Sequence, residues 1–143
     1  MKFDLHYDAS SLEKARSGAI WGSIWVDMHG RPFPEAHWND LPVAFLAELS
    51  SAVAQAGNSD GHARRVRFFD GPFWIDLTGQ KGDEIKLSVN SGRDIPDVVI
   101  SAAELTRILT RVGRALSEAC QARGWGDHAD VQRLRVIDDR RGS

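Results

Sequence analysis

The chain predicts an α+β fold: a two-layer sandwich with a mainly antiparallel sheet and two amphipathic helices on one of its faces. Three observations lead there. Short apolar segments alternate with a period of two, short turns join them, and two longer segments repeat their apolar residues at helical spacing. Consecutive strands joined by short turns pair antiparallel, and two helices cover only one face of such a sheet. The expected order is β-β-α-β-β-β-(β)-α. A chain of 143 residues at 42% hydrophobic, with 13 glycines and 5 prolines, fits a single domain over residues 1–143 with a sizeable core. Residues 125–143 form a less certain tail.

Each element has its own warrant. Phe3, Leu5 and Tyr7 alternate with Lys2, Asp4 and His6, which predicts a first short strand. A polar connection over residues 8–17 leads to a second strand over about 19–28. His29-Gly30-Arg31-Pro32 breaks the pairing, and Pro34 keeps Phe33 extended. Asp40 is the expected N-cap of the first helix, with Pro42 in its first turn, where the missing N–H costs nothing. Leu41, Phe45, Leu49 and Val53 form its stripe, and Gly57 ends it. After a loop at 58–62 come strands over 64–69, 73–78 and 84–89. Asp70-Gly71 reads as a two-residue hairpin turn, with Pro72 at a strand start that tolerates it. A loop over 91–96 and a brief strand over 98–100 follow. Ser101 and Glu104 make a capping box for a helix carrying Leu105, Ile108, Leu109, Val112, Leu116 and Cys120, ended by Gly124. Residues 131–137 read as either a strand or a short helix.

The strands have unlike faces. Ile20, Gly22, Ile24, Val26 and Met28 form one apolar row, and Trp21, Ser23, Trp25 and Asp27 form the other; Phe73, Ile75 and Leu77 oppose Trp74, Asp76 and Thr78 in the same way. The plain faces, with Val66, Phe68, Ile85, Leu87 and Val89, are expected to meet the helices. The mixed faces then turn away and gather Trp21, Trp25, Asp27, Arg65, Arg67, Phe69, Trp74, Asp76 and Lys86. Trp and Arg are the residues that dominate binding interfaces, because they bury large area while keeping a polar handle. Trp21, Trp25, Arg65, Arg67, Trp74 and Asp76 are therefore the candidate partner-binding residues. Two other occupants of that face stay open: the C-terminal tail folded back over the tryptophans, or a second copy of the chain in a homodimer.

Other chemistries find little support. The net charge of −2 gives no pull toward nucleic acid or anionic membrane, and no such partner is expected. Residues 1–60 hold four bases against eight acids, and the remainder fourteen against twelve. The lone Cys120 excludes an intramolecular disulfide and a cysteine-built zinc site, and reads as a small buried hydrophobe. His6, His29, His37, His62 and His128 lack metal-ligand spacing. No phosphate loop or nucleophile elbow occurs, so no catalytic, cofactor or metal site is expected. The competing enzyme or ligand-binding reading would place a site near His37, Asp40 and Asp70. Arg107, Arg111 and Arg114 share one helix face, which reads as solvated, with nearby acids or a partner offsetting the like charges. The N-terminus has no signal-peptide core and no apolar run reaches membrane-spanning length, which predicts a cytoplasmic protein.

The run Trp21…Phe33-Pro34…Trp38-Asn39-Asp40-Leu41-Pro42-Val43, followed by Val66-Arg67-Phe68-Phe69-Asp70-Gly71-Pro72-Phe73, resembles a type of small bacterial protein that includes immunity proteins encoded beside polymorphic or contact-delivered toxins. The resemblance covers about residues 20–90 and rests on structural motifs. It implies a non-enzymatic protein that neutralises a cognate toxin by direct binding. It carries over no functional residue, so the mixed sheet face remains a reading of the residues themselves.

Overall fold

The computed structural model describes residues 2–57, 61, 63–91 and 95–142, without the side chains of 138–142. Its elements are β1 (Phe3–Lys14), β2 (Ile20–Met28), β3 (Arg31–Phe33), β4 (Asn39–Asp40), α1 (Pro42–Ala56), β5 (Ala63–Arg67), β6 (Trp74–Gly79), β7 (Glu84–Val89), β8 (Val98–Ser101), α2 (Ala102–Ala122) and α3 (Ala129–Gly142), with a short 3₁₀ turn at Lys81–Asp83. The fold is an α+β sandwich of antiparallel strands and helices. The strands form two sheets rather than one: β1-β2-β3, with β4 also on β2, and β5-β6-β7-β8. The order differs from expectation by the short strands β3 and β4 and by the third helix.

Alternation decides which face each strand buries. Ile20, Gly22, Ile24, Val26 and Met28 are buried along β2, and Ile75, Leu77, Ile85 and Leu87 along β6 and β7. Tyr7, Phe73 and Val89 are partly buried at the margin of the same core. The apolar rows meet α1 and α2, which touch strands of both sheets. In α1, Val43, Phe45, Leu46, Leu49 and Val53 are buried together with Ala44, Ala47 and Ala52, so little of its circumference is left for water, as befits a central helix. Helix α2 is one-sided: Leu105, Ile108, Leu109, Val112, Leu116 and Cys120 are inside, and Arg107, Arg111 and Arg114 are exposed. The Ser101 Oγ accepts the Glu104 N–H at 3.1 Å, the expected cap. Burial holds the Cys120 thiol above its ordinary pKa, consistent with a packing role.

Three local expectations need correction. Residues 8–17 are not simply a polar connection, because β1 continues to Lys14 through a bulge. Asp8 pairs with Ser23 and Glu13 with Trp21, so residues 9–12 stand opposite Gly22 alone. Leu12 turns into the core at that point, and Ser11 Oγ accepts the Ser23 N–H at 2.8 Å. A Cβ on residue 22 would lie 2.9 Å from Leu12 Cδ2, which explains the glycine. Second, the N-cap of α1 is Leu41, without a side-chain cap bond; Asp40 lies in β4 and its carboxylate is used elsewhere. Third, the β5–β6 connection is longer than two residues, closing with the Phe68 N–H on the Phe73 carbonyl at 3.0 Å. Parts of the loops expected at 58–62 and 91–96 lie outside the described residues.

The tail, read over residues 131–137 as either a strand or a short helix, is a helix. Val131 and Leu134 of α3 are 0% and 3% exposed, and α3 packs on α1 and α2. Arg133 bonds Glu48 of α1 at 2.9 Å, and His128 Nε2 meets the Gly18 carbonyl at 2.5 Å. Of the apolar residues Val131, Leu134, Val136 and Ile137, the first two recur at helical spacing and Leu134 and Val136 alternate, so the pattern does not separate helix from strand. Truncation after Gly124 is expected to lower stability by about 3 kcal/mol or more, from the lost burial of Val131 and Leu134. The urea unfolding midpoint measures it.

Candidate protein-binding face

Because the apolar row of every main strand faces the helices, the mixed rows face away from them. On the first sheet, His6 stands opposite Trp25 in the β1–β2 register, and their rings stack at 5.4 Å between centroids. His37 closes on the same indole at 4.6 Å. The His37 backbone has φ of 60°, a left-handed conformation that histidine adopts more readily than most residues. Trp25 is thus held between two imidazoles and left half-buried. Acids surround this row: Asp4 stands directly opposite Asp27, and Asp8 lies two residues along β1 from His6. Bonds from the Ser10 hydroxyl and N–H hold the Asp8 carboxyl below its ordinary range. Arg111 of α2 reaches Asp4 at 3.1 Å, which relieves the like charges that face each other across the strands.

The outer row of the second sheet is basic. Arg65 stands opposite Asp76 and makes a two-pronged ion pair, Nε to Oδ1 at 2.9 Å and Nη2 to Oδ2 at 3.1 Å. That bond raises the Arg65 pKa above its ordinary value. The guanidinium lies over the Trp74 ring at 4.2 Å, and Arg67 lies over the same ring at 5.2 Å. Lys86 continues the row on β7, opposite Thr78. Arg65, Arg67, Trp74 and Asp76 therefore form one contiguous group. Trp25 belongs to a second group with His6 and His37, and Trp21 lies apart from both, beside an open depression of about 680 Å³ that Asn39 and Asp70 also line.

A seam joins the two sheets. Asp40, 0% exposed, directs its carboxylate across it. Oδ1 accepts the Leu41 and Phe69 N–H groups at 2.7 and 3.1 Å, and Oδ2 accepts the Trp38 indole N–H and the Asp70 N–H at 3.0 and 3.1 Å. Phe33 of β3 meets Phe68 and Phe73 edge-on at 5.9 and 5.7 Å, and Trp38 meets Phe73 at 5.2 Å. His29 Nε2 adds a contact to the Asp97 carbonyl at 3.0 Å.

His37, Asp40 and Asp70 do not converge. The His37 ring is on Trp25, the Asp40 carboxylate is buried and taken by four N–H groups, and Asp70 is exposed at the open depression. A second groove of about 610 Å³ runs along residues 30–35 beside Phe73 and Ile95. Among the described residues no group of His, Cys, Asp and Glu could hold a metal ion, and no helix is long and apolar enough to cross a membrane. The α3 helix lies on the helical side, away from Trp21, Trp25 and Trp74. The candidate partner-binding set leaves out His6 and His37, and also Phe69, although Phe69 stands on the same mixed face. Alternation along β1 places His6 on the Trp25 face; nothing in the sequence signals the turn that brings His37 there.

No family model matches the chain, and no solved structure matches it. The chain is 39% identical over 54 residues to a pyridoxine 5′-phosphate synthase of Prochlorococcus marinus. That alignment covers 38% of this chain and 21% of the synthase, so the chain spans about a fifth of that protein's length. A match of this extent carries neither its fold nor its activity across.

The Asp40 geometry makes a sharp prediction. Each carboxylate oxygen receives two donors, so an amide in either orientation would turn its NH₂ toward two N–H groups. Asp40→Asn, though isosteric, is expected to destabilise by about 3 kcal/mol or more, close to Asp40→Ala, since unsatisfied buried groups cost roughly 1–3 kcal/mol each. Chemical denaturation of both variants measures this; a neutral Asn variant would show that the carboxylate is dispensable.

Proposed function

We propose that the chain is a non-enzymatic protein-binding module, an immunity-type protein that neutralises a cognate bacterial toxin by direct binding. One observation carries the reading: two ordered tryptophan groups stand on the sheet faces opposite the helices, and all three helices pack elsewhere. Indoles pre-set by neighbouring rings and guanidinium groups present large area at little further entropic cost, which is the make-up of an interface anchor. The separation of His37, Asp40 and Asp70 leaves the enzyme reading without a shared site in that neighbourhood. The same face would also serve a homodimer, and sizing chromatography of the isolated protein separates that case.

In this reading Trp25 and Trp74 are the central anchors, Trp21 lies toward the margin, and Arg65, Arg67 and Asp76 set orientation. The toxin is expected in the neighbouring reading frame, with its C-terminal domain co-purifying with this protein. Trp25→Ala/Trp74→Ala is expected to weaken that complex by well over 30-fold, since interface anchors contribute about 2 kcal/mol or more each, while the variant keeps a cooperative thermal transition. Unaltered affinity would place the interface elsewhere, with the Arg107, Arg111 and Arg114 face of α2 the next surface to test.

A further inference from the structure

Phe69 is the most exposed large hydrophobic side chain among the described residues, at 51%, yet its backbone is among the most firmly held. Its N–H donates to the buried Asp40 carboxylate, and its neighbours Phe68 and Asp70 are bonded to Phe73 and to Asp40. An exposed aromatic on a fixed backbone is costly to keep in water and well suited to contact. It lies two residues beyond the end of β5 at Arg67, and exposure alternates through it: Arg65, Arg67 and Phe69 are exposed while Val66 and Phe68 are buried.

The charges beside it are unevenly matched. Arg65 is neutralised by Asp76. Arg67 meets only the Trp74 ring, and Lys86 has no carboxylate partner, among the described residues. The row thus offers an apolar knob, an indole and two uncompensated cations. We infer that an acidic, partly apolar segment of the protein partner docks along Phe69, Arg67 and Trp74, an apolar side chain covering Phe69 and a carboxylate pairing with Arg67. This rests on the binding reading above and adds the chemistry of what is bound. A basic, aromatic sheet face is also a platform for single-stranded nucleic acid. Asp76 and Glu84 on the outer rows of this sheet, the acids Asp8 and Asp27 on the other sheet and the net charge of −2 disfavour a polyphosphate backbone, which needs a continuous positive track.

The test titrates the neighbouring-frame toxin domain against the full chain and its variants. Phe69→Ala is expected to weaken binding at least 30-fold, with the thermal transition retained because the side chain is exposed. Arg67→Glu should weaken it more than Arg67→Ala, and Arg67→Ala should flatten the dependence of affinity on salt. If these variants bind within twofold of the parent while Trp25→Ala/Trp74→Ala abolishes the complex, the docking row is wrong and the binding reading stands. If none of the variants changes affinity, the interface lies elsewhere and the docking row falls; if no complex forms, the binding reading falls with it. A fluorescein-labelled 15-mer oligothymidylate that binds in an Arg67-dependent manner would overturn the protein-segment assignment.

Discussion

The Asp40 carboxylate is the constraint on which the two-sheet arrangement depends. Among the described residues the sheets share no backbone ladder, so their relation rests on side chains. Asp40 belongs to a two-residue strand on the first sheet and takes the backbone N–H groups of Phe69 and Asp70, at the turn of the second. Burying a carboxylate is costly unless hydrogen bonds replace its hydration, and here four do so. The aromatic contacts among Phe33, Phe68, Phe73 and Trp38 keep water from competing for them. One interaction therefore fixes the start of α1, the indole of Trp38 and the corner from which the second sheet's outer row begins.

What the sequence made legible follows from periodicity. The α+β class, the antiparallel strands, the buried rows and both long helices could be read because each rests on several residues in phase. Leu12 could not be read, because a bulge shifts the phase and leaves one leucine among Ser10, Ser11 and Glu13. Asp40 looked like a helix cap because its own N-terminal neighbourhood fits one; its bonds to Phe69 and Asp70 span about thirty positions and leave no local trace. The division into two sheets was hidden for the same reason, since pairing between strands distant in sequence has no period. The candidate face was half legible. Arg65 opposite Asp76, with Trp74 alongside, follows from register across a hairpin, whereas His37 reaches Trp25 through a left-handed turn that no pattern announces.

Order within that face has an energetic meaning. A free tryptophan or arginine side chain gives up rotamer freedom when a partner immobilises it. Trp25 between two imidazoles, and Trp74 beneath Arg65 that is itself gripped by Asp76, have given up much of it on folding. The cost then falls on the stability of the monomer rather than on association, and the helices behind the sheets supply the burial that offsets it.

Charge placement has a further consequence. The outer side of the first sheet carries Asp8 and Asp27, and that of the second carries Arg67 and Lys86. The outer sides of the two sheets therefore present different charges, although the total over the chain is nearly balanced. An approaching macromolecule feels such surface charges before any contact is made. The effect acts over roughly the Debye length, about 8 Å at physiological ionic strength, so salt governs how often encounters begin correctly aligned more than how firmly the aligned pair holds.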